Sequence, residues 1–431
     1  MTGPFDRYRH WAFLSLLLSV TASVFGQENQ DEPPAQYGDR PKNAAHVEEI
    51  HRANLSQYKD VADILVLPGL IARKKEQRVE ILAEATGLAP DSIVEFLLIG
   101  SNSGKGYESL LWSFAKPSDV HKALVFIGMK PGKPLDPARL RFWPKGERVL
   151  LNVAARDEKD DASPPVRLEC LVMDRNLGES LPEDGFVFTG SFLMNGREPD
   201  SGRVYAADVV EPKSVASLYN DPIAVLDVPR RARKSDIYGS LVIGPEYGFA
   251  KNELLTIRLE PEYKDGRQRV MDLVLEVRRP AETAMSVEFL LKDGTGKAIV
   301  ERPELPLVLG KMDALITEGH DPYVSVRFDA ALRLAEVRKV CRIIGLIDTD
   351  SGIRVEPPET GQLYYEALVP DPQWLDRENR IDQPWELHLV CDESNVTGTL
   401  ILYESTWSGD HPDSQLKVTT LSVETPKALR S

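Results

Sequence analysis

The sequence predicts an α+β protein of multi-strand sheets with few helices, arranged as two main domains behind a signal peptide and a linker. Three observations carry this. Short apolar runs bounded by Gly, Pro, Asn and Asp recur from about residue 60 onward, which is strand-and-turn punctuation. Only a few stretches carry the 3.6-residue apolar period of a helix. Strands come in runs with one or two helices interposed, which argues against a doubly wound sheet.

Residues 1–26 read as a secretory signal peptide. Arg7, Arg9 and His10 precede the apolar WAFLSLLLSV, and Val24-Phe25-Gly26 forms a small-residue cleavage site ahead of Gln27. Trp11 to Gly26 spans about 24 Å as a helix, short of the roughly 30 Å hydrocarbon core, so cleavage is expected rather than stable membrane insertion. Residues 27–58 are polar and poor in large apolar side chains, and composition assigns them to a disordered linker. His46 and His51 within it do not make H-E-x-x-H, since they stand five positions apart and not four.

Residues 59–228 form the first domain in this reading. ILVLPGLI, RVEILAEA, SIVEFLLIG and YESLLWSFA are strands, SDVHKALVFIG is a helix with Ser118 as N-cap and Gly128 as stop, and RVLLNVAA is again a strand. VRLECLVMD, FVFTGSFLM, RVYAADVV and DPIAVLDV follow the acidic loop RDEKDDASPP. PRRARKSD, within residues 229–239, reads as an exposed interdomain connection. In residues 240–431, LLTIRLEPEYKDGRQRVMDLVLEVRRP reads as two strands around a Lys-Asp-Gly turn. A helix around GKMDALITEG, the strand YVSVRFD, and the helix LRLAEVRKVCRIIG with its stripe of Leu334, Val337, Cys341 and Ile344 come next. WELHLVC and TLILYES close the chain as a hairpin.

Net charge is −15 and no basic face is apparent, which excludes a nucleic-acid partner. Cys170, Cys341 and Cys391 are too few and too scattered for zinc or iron–sulfur ligation, so neither cofactor nor metal is expected. GSNSGKG misses the phosphate-loop spacing, because three residues separate Gly100 from Gly104 and a glycine follows Lys105. Ser191 in FTGSFLM is not in a G-x-S-x-G elbow and reads as a packed strand serine.

ILVLPGLIARKKEQRVEILAE, VEFLLIG, YESLLWSFAKPSDVHKALVFIGMKPG, GFVFTGSFL and SLYNDPIAVLDVP, in this order, resemble the YdjY-type domain of bacterial exported proteins over about residues 60–230. The resemblance implies an exported bacterial protein and carries no established biochemical activity. Residues 286–357, read as strand, helix, strand, helix, strand, resemble more loosely the periplasmic domain of ExbD and TolR proteins.

Glu108 and His121 flank the strand-to-helix corner of the first domain and are its most site-like residues. Alternation along the strand places Glu108 on one face with Leu110, Trp112 and Phe114, while His121 lies in the first turn of the helix. The geometry puts them on the order of 10–15 Å apart, beyond acid–base cooperation, so each is expected to be structural. Near the C-terminus, Trp374, Arg377, Arg380 and Trp385 are candidates for lining a carbohydrate or peptide groove, because Trp and Arg are effective recognition anchors. The sequence thus points to a periplasmic or extracellular, non-catalytic protein that binds an envelope protein or polymer. The alternative is a secreted hydrolase with an acid site at Glu108. N-terminal sequencing of protein from the expressing bacterium should find Gln27 or a near neighbour as the first residue; Met1 on membrane-bound material would refute this.

Overall fold

LLTIRLEP, residues 254–261, alternates between side chains sealed from solvent and side chains at the surface along its whole length, as a strand does when one face lines a core. Leu255, Ile257 and Leu259 are buried; Arg258 and Glu260 face outward and pair with Glu80 and Arg78 of the neighbouring strand at 3.3 and 2.9 Å. That pairing completes a closed barrel. The computed structural model describes residues 40–135, 143–154, 166–196 and 202–329 apart from 233, 280–286 and 303. It also describes parts of 332–343 and the strands at 354–355, 385–391, 396–408 and 411–423.

The chain enters through α1 (Ala44–Gln57) and then β1 (Ile64–Leu67), β2 (Leu70–Arg73), β3 (Arg78–Ala85), β4 (Phe96–Gly100) and β5 (Ser109–Ser113). After α2 (Pro117–Phe126) come β6 (Arg148–Val153), β7 (Val166–Arg167), β8 (Val172–Asp174), β9 (Glu179–Ser180), β10 (Phe186–Phe188), β11 (Leu193–Asn195) and β12 (Arg203–Tyr205). The single-turn α3 (Ala206–Val209), β13 (Ser214–Ser217), β14 (Leu226–Asp227), the single-turn α4 (Lys234–Ile237), β15 (Leu241–Ile243) and β16 (Leu254–Pro261) complete the first domain. The barrel order is β3-β16-β6-β10-β14-β13-β4-β5, with β5 returning to β3. Most of its apolar residues form one cluster, which also takes in Val120, Ala123 and Leu124 of α2, while Phe96, Ile99 and Trp112 of β4 and β5 form a separate one.

Three expectations about this domain are corrected. First, β16 lies beyond the boundary at residue 228 yet sits between β3 and β6, so the first domain runs to about residue 261. Second, residues 44–57 are helix, not linker. The buried Glu84 carboxylate accepts from the backbone N–H of Lys42 and Asn43 and from the Asn43 amide, all at 2.8–2.9 Å, and so anchors the helix start, where negative charge is favoured. A composition of this kind cannot reveal that tertiary contact. Third, PRRARKSD is stitched into the first domain: Asn220 donates to Arg230 O and accepts from Ala232 N at 3.0 and 2.8 Å, and Ala232 is buried.

The second domain is a five-stranded sheet in the order β19-β18-β17-β20-β21, where β17 is Val270–Arg278, β18 Glu288–Asp293, β19 Ala298–Arg302, β20 Asp321–Phe328 and β21 Arg354–Val355. β16 and β17 are the two strands expected around the Lys-Asp-Gly turn; they do not pair with each other, since β17 pairs with β18 and, in parallel, with β20. Helix α5 (Leu305–Thr317) joins β19 to β20, and a further helix within 335–343 buries Val337 and Val340 against the same core. Leu334, Cys341 and Ile344 of its expected stripe lie outside the described residues. β22 (Trp385–Cys391), β23 (Val396–Ser408) and β24 (His411–Val423) form an antiparallel meander containing the anticipated hairpin.

Because β16 closes the barrel, a fragment of residues 40–217 should lack a folded core, whereas one of residues 40–262 should fold. Dispersed amide spectra for the longer fragment alone would bear this out; equal dispersion for both would contradict it.

Candidate functional site

β4 and β5 run parallel with Phe96 opposite Ser109, and the backbone N–H of Glu95 donates to Glu108 O at 2.8 Å. Parallel register therefore sets two glutamates side by side at one end of the barrel, each just before its strand. β13 brings a third element to the same place: Leu218 N–H donates to Glu95 O, and the Tyr219 ring packs edge-on against Phe96 at 5.6 Å. The Asn-Asp-Pro turn that follows contributes Asp221, and β14 contributes Asp227.

These carboxylates are withdrawn from water, Glu95 being 1 % and Glu108 9 % exposed, with Asp221 and Asp227 also buried. Among the described residues, Oε1 of both glutamates and Oδ2 of both aspartates accept no hydrogen bond. Two lysines provide partial compensation. Lys105 Nζ stands 3.3 Å from Glu108 Oε1, and Lys234 Nζ stands 2.9 Å from Glu95 Oε2 without hydrogen-bond alignment. Trp112, held beneath the Gly106 backbone, leaves its indole Nε1 unpartnered as well.

Burial raises the Glu108 carboxyl, the neighbouring Glu95 charge raises it further, and Lys105 opposes both. Burial lifts Asp221 to about 6. It lifts Asp227 well above the ordinary carboxylate range, with Asp221 adding to the effect. The Tyr219 hydroxyl is pushed up by burial and then by Asp221, Glu95, Glu108 and Asp227, so one electrostatic neighbourhood joins all five residues. Such clustering of perturbed groups is a mark of functional sites, and this one is built to receive positive charge or protons.

His121 belongs elsewhere. Its Nδ1 lies 3.0 Å from Gly190 O and 3.1 Å from the Tyr205 hydroxyl, and its ring packs edge-on against Phe188 and Tyr205 at 5.2 and 5.6 Å. Burial lowers its pKa, which favours the neutral ring. A Cβ on Gly190 would come within 2.9 Å of the imidazole, so the Thr-Gly-Ser segment has glycine where the histidine seats. None of these partners belongs to the Glu108 neighbourhood. Ser118 is not the N-cap of α2: the helix begins at Pro117, and Asp208 accepts from Ser118 N–H at 2.9 Å from outside. Ser191 is not an ordinary strand serine, since its φ of 50° is left-handed and its Oγ is buried. Cys170 is half-exposed beside Glu183, and burial raises its thiol to about 11.

Trp374, Arg377 and Arg380 lie outside the described residues, and Trp385 opens β22 opposite Leu402. Missed in the sequence were Glu95, Tyr219, Asp221, Asp227, Lys105 and Lys234. A glutamate between Val94 and Phe96 in an otherwise apolar strand was the available signal.

A closed α+β barrel with a buried acidic rim is the class that fold and site define. Residues 70–217 match the family model of the YdjY domain. The match covers about a third of the chain and includes Glu95, Glu108 and His121, but stops before Tyr219, Asp221, Lys234 and the closing strand β16. No curated protein and no solved structure matches the chain.

The raised Asp221 has a calculable consequence. Its folded-state value of about 6 lies above the ordinary 3.8, so the folded protein holds a proton that the unfolded chain has released. This contribution is present below about pH 4 and lost as pH rises through about 6. Asp221→Asn keeps the acceptor for Ile223 N–H and removes the titration. The variant should match wild type near pH 4 and be more stable at pH 7.5, by on the order of 3 kcal/mol. Denaturant melts at both values check this; a variant weaker at pH 7.5 would refute it.

Proposed function

We propose that this is an exported bacterial envelope protein that binds its ligand without catalysis, and that the barrel rim at Glu95 and Glu108 is the binding site. The signal-like N-terminus supports export, and among the described residues no helix is long and apolar enough to cross a membrane. The observation that carries the binding reading is the Glu95 carboxylate, which is buried and, among the described residues, has Oε1 unpartnered next to a second buried carboxylate. A buried acceptor without a hydrogen bond costs about 1–3 kcal/mol, more when charged, and proteins keep such costs chiefly where function uses them. The ligand is a component of the envelope, protein or polymer, that presents positive charge or hydrogen-bond donors to the rim.

Two carboxylates on adjacent strands also support a second reading, acid–base hydrolysis of a glycoside. Burial of both stands against it, because the acid must reach the leaving oxygen. Turnover of envelope polysaccharide that is lost in Glu108→Gln would favour that second reading.

If the rim is kept for binding, Glu95→Gln and Glu108→Gln should each raise stability, by about 1–3 kcal/mol, while reducing recovery of material that co-purifies from the native envelope. Thermal melts with mass spectrometry of the co-purified fraction test both halves. Lower melting points with unchanged co-purification would make the carboxylates structural and end this proposal.

A further inference from the structure

Lys234 begins the single-turn α4, and its side chain is 48 % exposed while Glu95 beneath it is almost fully enclosed. The ammonium thus dips from the surface into the rim. It reaches 2.9 Å from Glu95 Oε2 and lies over the Tyr219 ring, 5.5 Å from the centroid. A carboxylate beside an aromatic face is a recognised receptor for an alkylammonium, combining ion pairing with attraction to the ring quadrupole.

The receptor has more acceptors than this one occupant uses. Glu95 Oε1, Glu108 Oε1, Asp221 Oδ2 and Asp227 Oδ2 stay unpartnered among the described residues. Among the described residues, two lysines, Lys105 and Lys234, stand against these four carboxyl groups. The Trp112 indole, 2 % exposed and unpartnered, lies beneath the turn that carries Lys105 and Glu108. Among the described residues no three acids converge closely enough to hold a metal ion, so the arrangement suits an organic cation that spreads its donors over several acceptors. Asn220 pins residues 230–232, so emptying the receptor requires only rotation of the lysine side chain.

We propose that the rim is a receptor for a primary ammonium group, and that Lys234 is an internal occupant which an external amine displaces. This rests on the rim being the binding site and assigns the chemistry of what it binds. The incoming group is the ammonium of a free alkylamine or of a lysine side chain.

The test uses the mature chain with ¹⁵N-labelled tryptophan, following the Trp112 indole resonance, assigned with Trp112→Phe. Wild type and Lys234→Ala are titrated with n-butylamine, as the free amine, and with Nα-acetyl-lysine methylamide, as the side-chain mimic. Lys234→Ala should saturate at amine concentrations at least tenfold lower than wild type, because no resident ammonium competes. Glu95→Gln in that background should cost at least tenfold. Preference between the two probes identifies the source. Lys234→Met, which keeps the apolar stem and removes only the charge, serves if the alanine variant misfolds. Equal binding by Lys234→Ala and wild type, or indifference of the amine to Glu95→Gln, overturns the ammonium receptor. If envelope material still co-purifies in a Glu95-dependent way, only this inference fails; if neither amine nor envelope material responds to Glu95→Gln, the rim is not the binding site at all.

Discussion

The structure depends on the divided edge of β3. One side of this eight-residue strand pairs with β16 along most of its length, while the other is shared: Leu70 to Arg73 take its first half and Leu111 to Ser113 its last. Leu82 is the handover, donating its N–H to Gly69 O at 2.8 Å and accepting from Phe114 N–H at 3.0 Å. Two strands can meet there only if one backbone lies almost on the other. Gly69, with φ of 72°, permits this, because a Cβ would come within 2.4 Å of the Phe114 carbonyl carbon. Closure removes the open edges that an eight-stranded sheet would otherwise present. It also fixes the register that brings Glu95 beside Glu108.

Two of the places where charge is buried stand on very different terms. Where the second domain meets the barrel, Asp321 of β20 receives Arg148 on one oxygen at 2.6 Å and Arg354 on the other at 3.1 Å. Arg148 also donates to Asp184 O, and Arg354 stacks over Trp143. Leu135, Trp143 and Tyr323 exclude water around them. Both carboxylate oxygens are engaged, which is the condition under which a buried ion cluster holds two parts in one orientation. At the rim, among the described residues, four carboxyl groups stand against two lysines and carboxylate oxygens are left without a hydrogen bond. One chain engages both oxygens of the first carboxylate and, among the described residues, leaves carboxylate oxygens of the second idle, so the second stands out as a place where stability has been given up for another purpose.

What was legible in the sequence followed from local periodicity. The α+β class, the strand Ser109–Ser113 within YESLLWSFA, the helix ending at Gly128 and the terminal hairpin are set by residues close together in the chain, although Glu108 lies in a 3-10 turn before that strand and not in it. Gly128 and Met129 close α2 by donating to Val125 O and Leu124 O, a motif visible in the letters. Domain extent was not legible, because β16 is joined to the barrel by pairing with residues more than 150 positions earlier. Helix α1 was hidden for the same reason: its anchor, Glu84, lies in another element. The rim needed three strand registers and one turn to be known together. Glu108 stood out because it opens a motif, whereas Glu95 was masked by the apolar run around it.

Glu108 and His121 show how a motif can bind two unrelated roles into one stretch of chain. Thirteen positions apart, they sit on opposite sides of β5 in sequence and have no partner in common. His121 is enclosed by Phe188, Gly190 and Tyr205, with burial favouring its neutral form and with acceptor and hydroxyl both supplied by the protein. It ties α2 to the Thr-Gly-Ser segment and needs nothing from outside. Among the described residues, Glu108 has an imperfect contact with Lys105, a like-charged neighbour and an oxygen left over. Spacing in the sequence cannot separate these cases, but hydrogen-bond satisfaction can. A half-buried histidine with its Nδ1 engaged is finished structure, and a buried carboxylate with an idle oxygen is not.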